Sequence, residues 1–371
     1  MPIHNSTPTR LATYVTALFP KMHGHRRNGF ADFVFALILT RSCCQAKLAR
    51  TFDNEEAALR RLGRFLHNEA LGVQETAQAV GHFVATRLPA TDWVRVAVDW
   101  TIEDGKHLLV ATLIVGSRGV PVYWESYKAS DLKGKMRALE LRFLSTLVRT
   151  VLKGVRRGRI LITADRGFAD VALMEALDRL GVVYVIRAKG NIKALVDGQW
   201  RKLNTLRFRT KQRQRAFGKV SYCESSPRAV FLSLARKRTK KGAWGVWYLV
   251  SNRDWLPASA AREYARRWNC ESGFRDAKSV LGFSEARIED IDAWARMFAL
   301  VAIALLVIVG IGSALVTAPE QLSRLMRRVR SRRRQRSELS LVRALADLLK
   351  TSSELWEWLR HRGKLNLETA L

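Results

Sequence analysis

Two acidic residues stand where a divalent metal ion could support phosphoryl-transfer chemistry. Asp99 lies near the end of the apolar-leaning segment VRVAVDW, and Asp165 ends the buried-type segment RILITAD. A charge at the end of a buried strand costs free energy unless it is solvated, paired or metal-bound. If the two strands are neighbours, the carboxylates converge, and a divalent cation would remove their mutual repulsion. These residue types therefore indicate a metal site.

A third acid belongs to a set of four polar residues that share one face of a helix predicted over 257–278. The set comprises Tyr264, Arg267, Glu271 and Lys278. At about 100° per residue they fall within a stripe roughly 60° wide. One interpretation is a metal-binding carboxylate flanked by cations that hold a DNA strand. The other is a solvated charged face with Glu271 and Arg275 as an i,i+4 pair. The helix alone leaves both open.

The charge of the chain points to a polyanionic partner. Lys and Arg number 64 against 33 Asp and Glu, which gives a formal net charge of +31. Self-repulsion of this size opposes a compact fold, and nucleic acid is the natural partner for such a chain. The segment 201–241 holds 14 basic side chains and one acid, Glu224. Eight further arginines lie within 324–336, as a solvated arm or another DNA contact.

Cysteine usage and hydropathy bear on the compartment. The four cysteines, Cys43, Cys44, Cys223 and Cys270, form no CxxC pair and no His-paired zinc spacing, so we expect neither disulfides nor structural zinc. The N-terminal segment lacks a secretory h-region. Residues 297–316 are 20 residues without a charge, long enough to span a bilayer. Because this run stands alone beside Arg-rich sequence, we expect a buried core helix and no membrane.

The elements that must position the acids follow from hydrophobic patterning. Residues 1–88 read as helical, with an apolar helix over 30–42 and a second helix whose apolar stripe is Leu59, Leu62, Phe65 and Leu66. This region is either a plain helical subdomain or a DNA-contacting module of helix-turn-helix type. Strands, helices and turns then alternate in the order β-β-β-α-β-α-β. The predicted strands are 94–100, 107–116, 120–127, 159–165 and 182–188, and the predicted helices are 132–153 and 169–180.

This order predicts an α/β fold with a mixed sheet flanked by helices. We expect an N-terminal helical DNA-binding domain over 1–88 and a catalytic core over 89–190 and 251–316. A basic β-rich insertion would occupy 191–250, and a basic C-terminal helical region would occupy 317–371, with Ser337 beginning its last helix. Trp244 and Trp247 of the insertion are half-buried strand residues, or one of them stacks on an unpaired base.

The motifs resemble those of a known family. The segment YARRWNCESGFRDAK matches the Y-(2)-R-(3)-E-(6)-K signature of DDE-type bacterial insertion-sequence transposases of the insertion-sequence-four group. The segments VAVDWT and ITADRGF are similar to that family's two aspartate motifs, and RSCCQAKLARTF is similar to its upstream region. The resemblance covers most of residues 30–290.

This resemblance implies an RNase H-like core with a β-rich insertion between the second Asp and the Glu. It implies that Asp99, Asp165 and Glu271 are catalytic and bind two Mg²⁺ or Mn²⁺ ions. It further implies that Arg267 and Lys278 contact DNA phosphates while Tyr264 helps to position the DNA end. From their charge we expect further DNA contacts, from Arg166, Arg275, Lys211, Arg213 and Arg215.

The implied function is cut-and-paste transposition. The protein would bind the terminal inverted repeats of its element, cleave the DNA and join the 3′-OH ends to target DNA. It would act as a homodimer in a synaptic complex, in the bacterial cytoplasm in association with the nucleoid. Two alternatives share these residues: a metal-dependent nuclease of the same fold without strand transfer, and a catalytically inactive DNA-binding protein.

Overall fold

The computed structural model describes residues 9–88, 93–208, 212–238, 243–316, 320, 341–352 and 355. Three sets of residues singled out by the sequence lie outside these ranges. They are Lys211, the arginine cluster of 324–336, and Ser337.

Within the described residues, ten strands form one sheet with the spatial order β3-β2-β1-β4-β5-β10-β9-β8-β6-β7. The strands are β1 (Val94–Glu103), β2 (Lys106–Val115), β3 (Arg118–Lys128), β4 (Ile160–Ala164), β5 (Val183–Ala188), β6 (Lys193–Val196), β7 (Gln199–Lys202), β8 (Gln214–Tyr222), β9 (Arg228–Arg238) and β10 (Trp244–Ser251).

The first five strands have the predicted mixed arrangement. β1 pairs antiparallel with β2, and β2 pairs antiparallel with β3, whereas β1, β4 and β5 run parallel to one another. Every residue of β4 is buried, as expected for a parallel strand covered on both faces. The β1–β2 turn places Asp104 at φ 51° and Gly105 at φ 70°, the left-handed pair that a tight hairpin requires. The α/β fold class is confirmed.

The basic strands continue this sheet. β10 pairs antiparallel with β5, and β9, β8, β6 and β7 extend the sheet outward from it. The sequence predicted a β-rich insertion over 191–250, but the β6–β7 hairpin within it was missed. Its turn carries Asp197 at φ 51° and Gly198 at φ 75°. That Asp-Gly pair between two short runs was a readable hairpin signal.

The helices are α1 (Thr9–Leu18), α2 (Gly24–Thr40), α3 (Gln45–Ala49), α4 (Glu55–Leu66), α5 (Val73–Ala85), α6 (Ala129–Leu132), α7 (Met136–Thr146), α8 (Val171–Arg179), α9 (Pro257–Arg266), α10 (Trp268–Arg275), α11 (Ile291–Val316) and a C-terminal helix (Leu341–Thr351). The helix predicted over 132–153 is thus interrupted: α7 begins at Met136 and continues as a π-helical turn, Leu147–Val151. On α4, Leu62, Phe65 and Leu66 are buried as predicted, but Leu59 is exposed.

The alternation of β1 divides the helices between two faces. Val94, Val96 and Val98 join the main core, which also contains residues of α2, α5, α7 and α11. Ala97, on the opposite face, packs with Cys270 of α10. Because successive strand residues point to opposite faces, Arg95, Asp99 and Glu103 lie on the same face of β1 as Ala97 and point towards α9 and α10.

The long apolar helix α11 lies inside the protein. Within its segment Ile291–Gly312, an 18-residue window with a mean hydropathy of 2.5 is 100% buried, although by length and composition the helix is apolar enough to cross a membrane. Its Phe298 packs edge-on against Trp124 of β3, with ring centroids 5.5 Å apart. This agrees with the expectation of a core helix, and the helix packs against both the sheet and the N-terminal helices.

A buried arginine ties α11 to the N-terminal helices. Arg296 is 6% exposed, and its Nε and Nη1 donate to the carbonyl oxygens of Leu71 and Leu66 at 2.8 and 2.7 Å. Leu66 is the last residue of α4, where carbonyl groups have no partner within the helix and carry the negative end of its dipole. A cation at this position therefore satisfies groups that burial would otherwise leave unpaired.

Candidate active site

The two aspartates stand side by side on neighbouring parallel strands. The register pairs Val98 with Ala164, so Asp99 and Asp165 each follow a paired residue by one position. The condition for their convergence, that the first and fourth strands are neighbours, is therefore met. Burial, with the Asp165 carboxylate adding to it, raises the pKa of Asp99 to about 6, while the Arg267 guanidinium opposes the shift. Repulsion between the two acids is thus a feature of this site.

Helices α9 and α10 cover the aspartate face of β1, with Arg267 between them. The close contact between α10 and β3 depends on two glycines, Gly273 of α10 and Gly119 of β3. A Cβ on Gly273 would lie 2.7 Å from the carbonyl oxygen of Gly119. The buried Cys270 fits between them and Ala97, and its thiol donates to Thr112 Oγ1 at 3.3 Å. Small residues in the segment WNCESGF therefore allow α10 to lie directly on the sheet.

Ion pairs attach this helical segment along β1 at three points. They join Arg95 to Glu263 at 2.7 Å, Asp99 to Arg267 at 2.7 Å, and Glu103 to Lys278 at 2.8 Å. The three strand residues are spaced by four and point to one face. The predicted stripe of the helix therefore faces a matching charged stripe on β1.

Arg267 is the centre of this arrangement. Its Nη1 lies 2.7 Å from Asp99 Oδ2 and its Nη2 lies 3.0 Å from Glu271 Oε1. The residue is only 8% exposed, and its guanidinium also lies near the rings of Tyr264 and Trp268. Glu271 thus pairs with Arg267, four residues before it, and not with Arg275 as the solvated-face interpretation assumed.

The other stripe residues are also held within the protein. Lys278 Nζ donates to the carbonyl of Ile102 at 2.8 Å and contacts Glu103 at the same distance. Tyr264 is buried, which raises the pKa of its hydroxyl. Its ring packs edge-on against Trp247, with centroids 4.9 Å apart. Trp247 is therefore a core residue, whereas Trp244 is 55% exposed.

Of the remaining basic residues predicted to bind DNA, the four that the structure describes lie at the surface or near it. Arg166, directly after Asp165, is exposed, and so is Arg275, which contacts Ser272 Oγ at 3.4 Å. Arg213 is exposed and lies over the ring of Trp244, 5.5 Å from its centroid. Arg215 is half-buried and donates to the carbonyl of Arg207 at 2.6 Å.

One carboxylate beside the site was not anticipated from the sequence. Glu140 of α7 is 3% exposed, and it accepts hydrogen bonds from Trp100 Nε1 at 2.9 Å and Arg137 Nη1 at 2.5 Å. Burial raises its pKa, with Trp100 and Arg137 opposing the shift. The sequence does place Glu140 among the apolar residues of MRALELRFL. Helical periodicity alone, however, did not distinguish this acid from a surface residue.

The three acidic residues of the site could hold a divalent metal ion. Within the described residues, no three His, Cys, Asp or Glu side chains gather as a metal-ligand set. Asp99 and Glu271 instead share one positive group, the Arg267 guanidinium, and Asp165 lies close enough to Asp99 to raise its pKa. Carboxylate oxygens are the donors that Mg²⁺ and Mn²⁺ prefer. The donor chemistry therefore suits a divalent ion, which would have to replace the guanidinium.

Comparison with known proteins supports the same class. Residues 145–307 match the family model described as the transposase DDE domain, a span of less than half of the chain. Curated proteins gave no match. The match supports a DDE-type transposase, and the mixed sheet flanked by helices is consistent with the RNase H-like fold of such enzymes. Transposases of this class generally use divalent metal ions and act on DNA.

Proposed function

We propose that this protein is a transposase of the insertion-sequence-four group that moves its element by cut-and-paste. It binds the terminal inverted repeats, cleaves the DNA and joins the 3′-OH ends to target DNA. The observation that carries the proposal is the convergence of Asp99 and Asp165 at the ends of adjacent parallel strands. Above them, α10 brings Glu271 to the Arg267 guanidinium, which also pairs with Asp99. The family match, which covers Asp165 and Glu271, supports it.

Asp99, Asp165 and Glu271 are the proposed catalytic residues and ligands for two Mg²⁺ or Mn²⁺ ions. Bound ions would activate the attacking oxygen and stabilise the leaving oxygen of the phosphodiester. The residues of the chain supply the rest. Arg267 has to leave Asp99 and Glu271 when the ions bind, and its planar guanidinium then suits a DNA phosphate, which it can bind through two hydrogen bonds.

The other proposed DNA contacts surround this centre. Lys278 would give up Glu103 for a phosphate near the cleaved end, and Tyr264 would help to position that end through the arginine stacked beside it. Additional contacts are proposed for Arg166, Arg275, Lys211, Arg213 and Arg215. The net charge of +31 supports an extended path for the phosphate backbone.

The proposed organisation assigns end recognition to residues 1–88 and catalysis to 89–190 with 251–316. Residues 191–250 and 317–371 add basic surface for DNA. Two copies would bridge two transposon ends as a homodimer in a synaptic complex. The site of action would be the bacterial cytoplasm, at the nucleoid.

The test uses the full chain and labelled DNA that carries the inverted repeats flanking its gene. With Mg²⁺ the wild type should cleave at the repeat ends. Asp99→Asn, Asp165→Asn and Glu271→Gln should each abolish cleavage but retain binding of the ends in a gel-shift assay. Cleavage that survives in Asp165→Asn would overturn the catalytic assignment.

A second arm separates transposase from nuclease. A pre-cleaved end with a labelled 3′-OH is incubated with protein, Mg²⁺ and circular target DNA. A transposase joins the labelled strand to the circle, because the 3′-OH attacks a target phosphodiester and displaces the 3′-oxygen of the target strand. Cleavage without any joined product would favour the nuclease.

A further inference from the structure

Glu140 occupies an unusual position for a carboxylate. It lies on α7, on the opposite face of the sheet from α10, and is 3% exposed. Each of its oxygens accepts a hydrogen bond from a different segment: Oε1 from the Trp100 indole, at 2.9 Å, and Oε2 from Arg137, at 2.5 Å. A buried acid is tolerated when both oxygens are satisfied in this way.

The first of these bonds leads to Asp99. Trp100 follows Asp99 on β1, and its backbone N–H donates to Asp99 Oδ1 at 3.0 Å. The indole that Glu140 holds therefore belongs to the same residue whose amide orients the first aspartate. Glu140 thereby fixes the side chain of the residue that follows Asp99 in β1.

The second bond leads to Asp165. Arg137 Nη2 donates to the carbonyl of Gly167 at 3.4 Å, and its Nε contacts Asp170 at 3.5 Å. The backbone N–H of Gly167 in turn donates to Asp165 Oδ1 at 2.7 Å. The loop between Asp165 and α8 is thus fixed to α7 through one guanidinium, which Glu140 anchors.

We propose that Glu140 is a positioning residue that holds Asp99 and Asp165 in mutual register, through Trp100 on one side and Arg137 on the other. The inference rests on the proposed function, because it assumes that these two aspartates bind metal. Two repelling carboxylates separate unless their neighbours constrain them. The groups that orient metal ligands normally affect metal affinity about 10- to 100-fold.

The experiment measures Mn²⁺ binding to the full-length protein without DNA, by electron paramagnetic resonance of free Mn²⁺ at constant pH. Glu140→Ala should weaken binding by about 10- to 100-fold. Glu140→Gln keeps an acceptor for Trp100 but loses the charge that anchors Arg137. Its affinity should lie between those of the wild type and Glu140→Ala.

Glu125→Gln is the matched control. Glu125 is a buried carboxylate on β3, 7% exposed, with hydrogen bonds from Tyr123, Tyr127 and Arg142. Its replacement removes a similar buried charge and should lower thermal stability while leaving Mn²⁺ affinity unchanged. If Glu125→Gln and Glu140→Gln weaken Mn²⁺ binding equally, Glu140 has only a structural role and the proposal is wrong.

A double-mutant cycle tests the route through Arg137. Because Glu140 acts on Asp165 through this guanidinium, the losses in Mn²⁺ affinity from Arg137→Met and Glu140→Ala should not add. Fully additive losses would contradict the route. If Glu140→Ala does not fold, Glu140→Gln and Arg137→Met decide the matter by the same readout.

The two proposals fail in different ways. If Asp165→Asn binds Mn²⁺ as tightly as the wild type, the metal assignment itself is wrong. If Asp165→Asn loses binding while Glu140→Ala and Glu140→Gln keep the wild-type affinity, the metal assignment stands and the positioning role is overturned.

Discussion

The Arg267 guanidinium lies 2.7 Å from Asp99 Oδ2, and it reaches Glu271 Oε1 at 3.0 Å with its other terminal nitrogen. One buried cation therefore balances two of the three acids proposed for catalysis. Asp99 nevertheless has a raised pKa of about 6, because burial outweighs this pairing and Asp165 adds repulsion. Ionisation of Asp99 therefore costs more free energy here than in water, and a metal ion bound to the carboxylates would lower that cost.

The first prediction concerns Asp99→Asn in metal-free buffer. An acid whose pKa is higher in the folded than in the unfolded state destabilises the fold once it ionises. The cost is absent below about pH 4, grows as the pH rises, and is complete above about pH 6. The shift corresponds to roughly 3 kcal/mol at most. Urea unfolding should therefore show Asp99→Asn more stable than the wild type at pH 8 and equal to it at pH 4.

The exposed Asp254 supplies the control for this experiment. Asp254→Asn should change the free energy of unfolding little at either pH. Equal stabilisation by both variants, or a gain for Asp99→Asn that is largest at pH 4, would contradict the explanation.

The second prediction concerns the exposed Arg213 beside Trp244. If Arg213 contacts one phosphate, Arg213→Gln should make the negative slope of log K against log salt for DNA binding shallower by about 0.9. Arg213→Lys keeps the charge and should keep the slope. Fluorescence anisotropy at several salt concentrations measures both. An unchanged slope for Arg213→Gln would remove Arg213 from the DNA-binding surface.

The third prediction concerns Gly282, which lies against the segment after α2. It has φ 69°, and a Cβ there would lie 2.7 Å from Ser42 Cα and 2.8 Å from the carbonyl oxygen of Arg41. Gly134 has the same φ with open space around it. Gly134→Ala should cost about 1–2 kcal/mol from backbone strain alone. Gly282→Ala should cost about 1–3 kcal/mol more, from the steric clash.

Urea unfolding of the two glycine variants isolates the clash, because the backbone conformation is matched. Equal losses of stability would mean that the contact between Gly282 and the segment 41–42 is loose in solution.

The fourth prediction concerns Arg296. Arg296→Met removes both hydrogen bonds to Leu66 and Leu71 and leaves two buried carbonyls without a donor. The free energy of unfolding should fall by about 3 kcal/mol. Arg296→Lys, which keeps one charged donor group, should lose less. The exposed Arg60, which pairs with Glu56 on the surface of α4, is the control, and Arg60→Met should change stability by less than about 1 kcal/mol.

The strands and their acids were predictable because strand patterning is local. Apolar runs that end in Asp99 and Asp165 indicate both the strands and the free-energy cost of charges at their ends. That the two strands are neighbours was a condition of the prediction, and the pairing of β1 with β4 in the structure met it. The helix stripe of Arg267, Glu271 and Lys278 was also predictable as a face.

The partners of that face were not predicted. Arg267 and Lys278 were expected to bind phosphate, and in the structure they bind Asp99, Glu271 and Glu103. Helical periodicity tells which residues point together but not what they point at. The signal lay on the strand, where charges four residues apart share one face of β1. The role of Glu140 depends on contacts between α7 and two distant segments, which no local pattern contains.

The position of α11 has a consequence for protein synthesis. This helix completes the core beneath the sheet and beneath the N-terminal helices, yet it begins only at Ile291, after most of the chain. A nascent chain that ends before this residue exposes apolar surface on both sides of the missing helix. Such surfaces promote aggregation. We therefore expect ribosome-bound intermediates to need chaperones until α11 emerges, and the protein to bind DNA only after this helix has joined the core.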